Sequence, residues 1–131
     1  MTAAFAAPVA GATADLEDLQ GAWITAAGRR HATLLVAGAR YAVEFHDGDI
    51  YIGTFTLDPH DEPRRMDMRI EEGPGRHRGR TAYCIYRFEG PVLHWCPSPP
   101  GSASRLYKFP APDDPRYLSL VFRPVRPRKG G

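Results

Sequence analysis

The sequence predicts an all-β protein folded as an antiparallel up-and-down barrel of eight to nine strands. Short segments of alternating apolar and polar residues recur along the chain. In residues 39–45, for example, Tyr41, Val43 and Phe45 face one way and Glu44 the other. Turn residues separate these segments, and no helical period persists over a dozen residues. Because local hairpins join consecutive strands, the sheet is expected to close on itself and leave no exposed edge.

The first four predicted strands cover residues 21–26, 31–37, 39–45 and 50–58. The third and fourth are joined by the tetrapeptide HDGD, and its Asp-Gly pair is typical of a hairpin turn. Gly53 interrupts the fourth strand, which predicts a bend or a close approach of another backbone at that position.

The remaining predicted strands cover residues 65–71, 81–89, 92–96, 105–109 and 117–123. In the first of these, Met66 and Met68 alternate with Asp67. The glycine-rich segment that follows it, GPGRHRG, has no Walker pattern and does not lead into a helix, so we interpret it as a hairpin connection and expect its His77 to be solvated.

Two registers are open for the hairpin that residues 81–96 form. We favour a two-residue turn at residues 89–90, which pairs Cys84 with Trp95 and gathers the apolar side chains on one face. His94 then lies on the opposite face. A three-residue turn would instead pair Cys84 with Cys96.

The composition fits a single globular domain. The chain has 131 residues, of which 43% are hydrophobic and 24% charged. A net charge of +2 gives no argument for a nucleic-acid partner, and no run approaches the ~20 apolar residues of a membrane span. We predict a flexible leader over residues 1–18, a barrel over 19–124 and a basic flexible tail over 125–131. One helical turn is expected at residues 15–19.

The leader has no basic segment typical of a secretion signal, so we expect a cytoplasmic protein. We expect it to be either a monomer or a homodimer. Cys84 and Cys96 are then expected to be buried free thiols, because disulfides are rare in that compartment. A zinc site formed by these thiols and His94 would need the other hairpin register and lacks a fourth ligand. We therefore predict no metal and no cofactor.

Several motifs occur in a characteristic order. They are LQGAW (19–23), GTFTLDP (53–59), GRTAYCIYRFEG (79–90), LHWC (93–96), PPG (99–101) and RLYKF (105–109). This order resembles a planctomycete-type bacterial family of lipocalin-like domains of unknown function, with the pattern LQGxW, GTFxLDP, GIY and RPxxF. The resemblance implies a lipocalin-like (calycin) β-barrel over residues 19–123.

The resemblance also implies roles for single residues. Gly21 would let the first strand bend, Trp23 would close the barrel base, and Arg123 would lie over the indole as a cation–π partner. The chain departs from the family pattern at Leu106, where proline is frequent, and at Cys84, where glycine is frequent. Its first loop is also shorter than is usual in the family.

The leading functional hypothesis is the binding of a small hydrophobic or amphipathic molecule inside the barrel. The predicted ligand-binding residues are Tyr41, Phe45, Phe55, Tyr86, Trp95, Arg105 and Tyr107. Arg105 either anchors an acidic head group through its bidentate guanidinium or forms a structural ion pair with Asp67 or Glu44.

Two other classes are open. One is a cofactor-independent cyclase or isomerase of bacterial secondary metabolism that uses the cavity as its active site. Its catalytic residues would be Tyr86, His94, Asp67 and Glu44. The other is a filled barrel that serves as an interaction module. A cavity of roughly 300 Å³ or more would count against the filled barrel.

Overall fold

The computed structural model describes residues 10–111 and 114–125. It contains one helix and eight strands: α1 (Ala10–Leu19), β1 (Gly21–Ala27), β2 (Ala32–Ala37), β3 (Arg40–Phe45), β4 (Ile50–Asp58), β5 (Arg64–Glu72), β6 (Thr81–Glu89), β7 (Val92–Pro97) and β8 (Leu120–Pro124). A short 3-10 helix, Gly75–His77, lies between β5 and β6. No helix in these ranges is long and apolar enough to cross a membrane.

The eight strands form a closed antiparallel barrel in sequence order, which confirms the predicted fold class. Each strand pairs with the next, and β1 pairs with β8 to close the ring. The prediction of a strand at residues 105–109, which would have brought the number of strands to nine, was wrong. Those residues lie in the connection between β7 and β8. Direct pairing of β7 with β8 leaves no free edge for a further strand, and Tyr107 is 91% exposed.

The predicted alternation is confirmed along the strands. In β3, Tyr41, Val43 and Phe45 are buried and Glu44 is exposed. In β5, Met66 and Met68 are buried inside the barrel. Because the side-chain period of a strand is two residues, one face of each strand builds the core and the other forms the outer wall.

Gly53 has the close backbone approach that its position in a strand predicts. A register shift occurs between Ile52 and Gly53, where β4 meets β5. A Cβ atom on Gly53 would lie 1.8 Å from the carbonyl oxygen of Arg69, which is far inside van der Waals contact. The site therefore requires glycine.

The β6–β7 hairpin adopts neither predicted register. Tyr86 pairs with Trp95 and Cys84 with Pro97, so the turn lies at Gly90 and Pro91, one residue later than the favoured prediction. Proline has no backbone N–H and cannot donate to the ladder, which explains why Pro91 lies in the turn. The two registers place the same side chains inward, and the predicted separation of Trp95 from His94 holds.

The strand directions give the barrel two different ends. The open end carries the connections at residues 28–31, 46–49, 73–80 and 98–119, and the closed end carries α1 and the connections at 38–39, 59–63 and 90–91.

The start of β1 seals the closed end. Trp23 is buried and its Nε1 donates a hydrogen bond of 2.8 Å to the Leu19 carbonyl oxygen. Gly21 has a φ of 113°, a backbone conformation that residues with a side chain rarely adopt. This conformation lets the chain turn from α1 into β1. Gln20 also exchanges hydrogen bonds of 2.7 and 2.9 Å with the backbone of Gly38.

Arg123 does not cover Trp23 as the resemblance implied. It lies opposite Ile24 on the exposed outer wall, whereas Trp23 points inward. Neighbouring residues of a strand face opposite sides, so the two side chains are separated by the sheet. Helix α1 also begins at residue 10, inside the segment predicted as a flexible leader. Residues 1–9 and 126–131 lie outside the described residues, so the predicted tail is described only at Val125.

Candidate functional site

A cavity of about 310 Å³ opens at the open end of the barrel. Its lining residues come from the inner faces of the strands and from three of the four open-end connections, 28–31, 73–80 and 98–119. The volume equals that of about ten water molecules in the liquid, at ~30 Å³ each. The cavity therefore has room for a small organic molecule and counts against a completely filled barrel.

Aromatic and aliphatic side chains form the inner wall. Three of the predicted ligand-binding residues are among them: Tyr41, Phe45 and Trp95. The Tyr41 hydroxyl donates to the Arg69 carbonyl oxygen at 2.9 Å, and burial raises the pKa of this phenol. Trp95 is buried, and its Nε1 has no hydrogen-bond acceptor among the described residues. The wall is thus apolar with a few fixed polar groups, as small-molecule sites usually are.

Two arginines lie at the rim. The Arg30 guanidinium stacks on the Phe45 ring, with its central carbon 3.7 Å from the ring centroid, and it donates to Asp47 at 2.8 Å. Arg116 holds Asp114 through two side-chain hydrogen bonds of 2.9 and 3.1 Å. None of the lining residues is Asp or Glu. The mouth of the cavity therefore has two arginines, each paired with an aspartate, and no carboxylate among the described residues that line it.

Tyr51 and His77 form a hydrogen-bonded pair on the cavity wall. The Tyr51 hydroxyl lies 2.8 Å from Nδ1 of His77, and the two rings stack at 5.8 Å between centroids. Burial and the positive charges of Arg76 and Arg80 lower the pKa of His77, and burial and Asp49 raise the pKa of Tyr51. Both groups are therefore neutral near pH 7. The expectation that His77 is merely solvated was wrong.

Four predicted ligand-binding residues do not line the cavity. Phe55 and Tyr86 are buried core residues outside its lining, and Tyr107 is exposed on the long β7–β8 connection. Arg105 lies on the outer wall, where it bonds Asp67 at 2.6 Å and the Cys84 carbonyl oxygen at 3.0 Å. It therefore fastens the β7–β8 connection to the barrel, which is the structural ion pair considered as its alternative role.

The four predicted catalytic residues are not brought together. Asp67 is engaged by Arg105 on the outer wall, and Glu44 is exposed on the outer face of β3. His94 also lies outside, 2.9 Å from Glu89 and edge-on to Phe109. None of these side chains reaches the cavity, because each occupies an outward position of its strand.

Tyr86 belongs to a buried polar cluster at the closed end. Its hydroxyl donates to Asp15 of α1 at 2.6 Å, and Arg64 donates to both carboxylate oxygens of Asp15 at 3.0 Å. Asp15 is 6% exposed and Tyr86 is fully buried. Both Asp15 oxygens accept from the Arg64 guanidinium, and one of them also accepts from the Tyr86 hydroxyl. Because the carboxylate is fully bonded, the cluster fastens α1 to the barrel rather than forming a reactive site.

The two cysteines are buried free thiols, as predicted. Cys84 points into the core, and Cys96 lies under the β7–β8 connection on the outer wall. Burial raises the pKa of the Cys96 thiol to about 11. No group of three or more His, Cys, Asp or Glu side chains in residues 10–111 and 114–125 is arranged to hold a metal ion.

The rim residues Arg30, His77 and Arg116 have no periodic signal in the sequence, because they lie in connections rather than strands, and Tyr117 begins a predicted strand that starts only at Leu120 in the structure. Their one common feature is position: each lies in a connection that an up-and-down barrel places at the same end. Tyr51, the second residue of β4, was not among the predicted ligand-binding residues.

Comparison with known proteins adds no relative to this description. No family model, no curated protein and no solved structure matches the chain. The resemblance to lipocalin-like domains therefore stays a prediction from the sequence, while the closed eight-stranded barrel is a property of the structure itself.

Proposed function

We propose that this protein binds a small hydrophobic or amphipathic molecule in the cavity at the open end of its barrel. One observation carries the proposal: the cavity of about 310 Å³ has a mainly apolar wall and opens to solvent among the open-end connections. A chain that needed only a stable core would gain free energy by filling this space, because packed side chains gain dispersion contacts that a cavity lacks.

Size limits the ligand. A volume of about 310 Å³ lies at the lower end of the range of small-molecule sites, which suits a compact molecule of two or three rings, and a long acyl chain would extend into solvent.

The first test is native mass spectrometry of freshly purified protein, followed by organic extraction of any adduct. Binding is then measured with the neutral fluorophore N-phenyl-1-naphthylamine. The variant Ala82→Phe places a ring inside the cavity, and Ala42→Phe makes the same change on the outer wall. We expect the first to abolish probe binding and the second to leave it unchanged. Equal binding by both variants would place the probe elsewhere and remove the basis of the proposal.

A second candidate function is a cofactor-independent isomerase or cyclase. The supporting observation is the Tyr51–His77 pair, because a neutral imidazole on a cavity wall has the properties of a general base. In an isomerisation, the Nδ1–H of His77 would donate to the Tyr51 oxygen, and Nε2 would take a proton from one substrate carbon and return it to another.

A probe reaction tests this chemistry. In 5-nitro-1,2-benzisoxazole, a base removes the ring C–H proton, the N–O bond breaks, and a coloured phenolate carries away the electron pair. An enzyme would open this probe at a rate that falls at least about tenfold in His77→Gln. The change His46→Gln, at an exposed histidine outside the cavity lining, should leave the rate unchanged. Equal rates for both variants and wild type would count against the catalytic candidate.

A further inference from the structure

The two ends of the barrel differ in charge. The open-end segments nearest the cavity, 28–31, 46–49, 73–80, 97–100 and 114–119, carry six arginines and three aspartates, and Glu71 and Glu72 end β5 beside them. The closed-end segments 14–20, 38–39, 59–63 and 90–91 carry five acidic side chains and no Lys or Arg. The neighbouring Arg64 and Arg65 at the start of β5 pair with Asp15 and Asp61. A separation of this kind directs an approaching anion toward the positive end.

Two of the six arginines belong to the cavity itself. Arg30 uses one guanidinium nitrogen for Asp47, 2.8 Å away, and the same nitrogen lies 4.0 Å from Asp49. Its other guanidinium nitrogens have no acceptor among the described residues. Its position on Phe45 holds the planar group beside the apolar wall.

Arg116 is the more accessible of the two, with 74% of its side chain exposed. Asp114 occupies two of its guanidinium nitrogens, and the third has no acceptor among the described residues. The guanidinium nitrogens that Asp47 and Asp114 leave free remain as donors for a ligand group at the rim, where no described residue of the cavity lining is a carboxylate.

We propose that the ligand is a small organic anion, with an apolar, ring-sized body in the cavity and one anionic group, such as a carboxylate or a sulfonate, at Arg30 and Arg116. This inference rests on the proposed binding function and names its ligand class. It also moves the anionic anchor from Arg105, which is occupied on the outer wall, to the rim of the cavity.

A matched pair of probes tests the ligand class. The anion 8-anilinonaphthalene-1-sulfonate and the neutral N-phenyl-1-naphthylamine share one ring system and differ in the sulfonate. We expect the wild-type protein to bind the anion at least about tenfold more tightly, because charge-assisted hydrogen bonds form only with the sulfonate. Added salt should weaken binding of the anion and leave binding of the neutral probe unchanged.

The variants Arg30→Gln and Arg116→Gln should each lower the affinity for the anion about threefold or more and leave the neutral probe unaffected. Arg65→Gln, which removes the same charge near Asp61 at the closed end, serves as the control. Unchanged affinity for the neutral probe shows that each rim variant is folded.

Equal affinity of the wild type for the two probes would overturn the anionic class and leave the binding function standing. So would anion binding that survives Ala82→Phe when neutral binding is lost, because the anion would then bind outside the cavity. Failure of both probes to bind would instead contradict the binding function and, with it, this inference.

Discussion

Replacing Tyr86 with phenylalanine tests how firmly α1 is held to the barrel. The change removes one hydroxyl that donates to Asp15 at 2.6 Å inside a fully buried environment. A hydrogen bond to a charged group contributes about 1.5–3 kcal/mol, and the retained ring keeps its packing against Phe88. We therefore expect the free energy of unfolding to fall by about 1.5–3 kcal/mol. For a chain of 131 residues this corresponds to a Tm lower by about 5–11 °C.

The assay is urea unfolding followed by circular dichroism, with Tyr107→Phe as the control. That variant loses the same hydroxyl from a side chain that is 91% exposed, and its stability should change by less than about 0.5 kcal/mol. A double-mutant cycle with Asp15→Ala should give a coupling energy of about 1 kcal/mol or more. Equal stability of the two phenylalanine variants would refute the reasoning, because it would show that the hydrogen bond from Tyr86 to Asp15 adds nothing to stability.

Three further outcomes follow from single contacts. Gly53→Ala should lower the free energy of unfolding by about 3 kcal/mol or more in the same urea titration, because the added methyl group meets a carbonyl oxygen of β5. Gly75→Ala is the control, and it should change the free energy of unfolding little because Gly75 has open space around it. Cys84 and Cys96 should resist a thiol reagent in the folded protein and react only after denaturation, and reaction of the native protein at either thiol would contradict their burial. NMR titration should give His77 a pKa below 6.5, the usual value for histidine. The unfolded chain then takes up the proton first, so the free energy of unfolding falls as the pH drops below about 6.5. A pKa above 6.5 in the folded protein would reverse the sign of this pH dependence.

The strand pattern was predictable because it depends on local alternation. Tyr41, Val43 and Phe45 face inward as their spacing indicates, and the Asp-Gly pair after them forms a hairpin turn. The close backbone approach at Gly53 was also predictable, since a glycine inside a strand usually marks a bulge, a bend or such an approach.

Residues 105–109 show where this reasoning fails. Their composition suits a strand, but a strand also needs an open partner edge, and the pairing of β7 with β8 has already closed the barrel. The hairpin turn was predicted one residue too early, so the strand pairing was predicted two residues out of register. Moving the turn from residues 89–90 to Gly90 and Pro91 preserves which side chains face inward, so alternation alone cannot separate the two registers.

The candidate site was only half predictable. Its inner wall follows from strand alternation, which identified Tyr41, Phe45 and Trp95. Its rim consists of loop side chains, and their positions depend on how three separate connections meet. Arg105 and Arg30 are both arginines in predicted loops or short strands, and only the three-dimensional fold distinguishes the one that fastens a connection from the one that lines the cavity.

The pairing of β1 with β8 has a practical consequence for the experiments above. Strand β1 begins at the closed end, and β8 ends there. At this end the Val125 N–H donates to the Ala22 carbonyl oxygen at 2.9 Å. The chain therefore leaves the barrel on the side opposite the cavity. If the protein is coupled to a sensor chip through a tag after residue 131, every molecule should be oriented with its binding mouth toward the flowing solution.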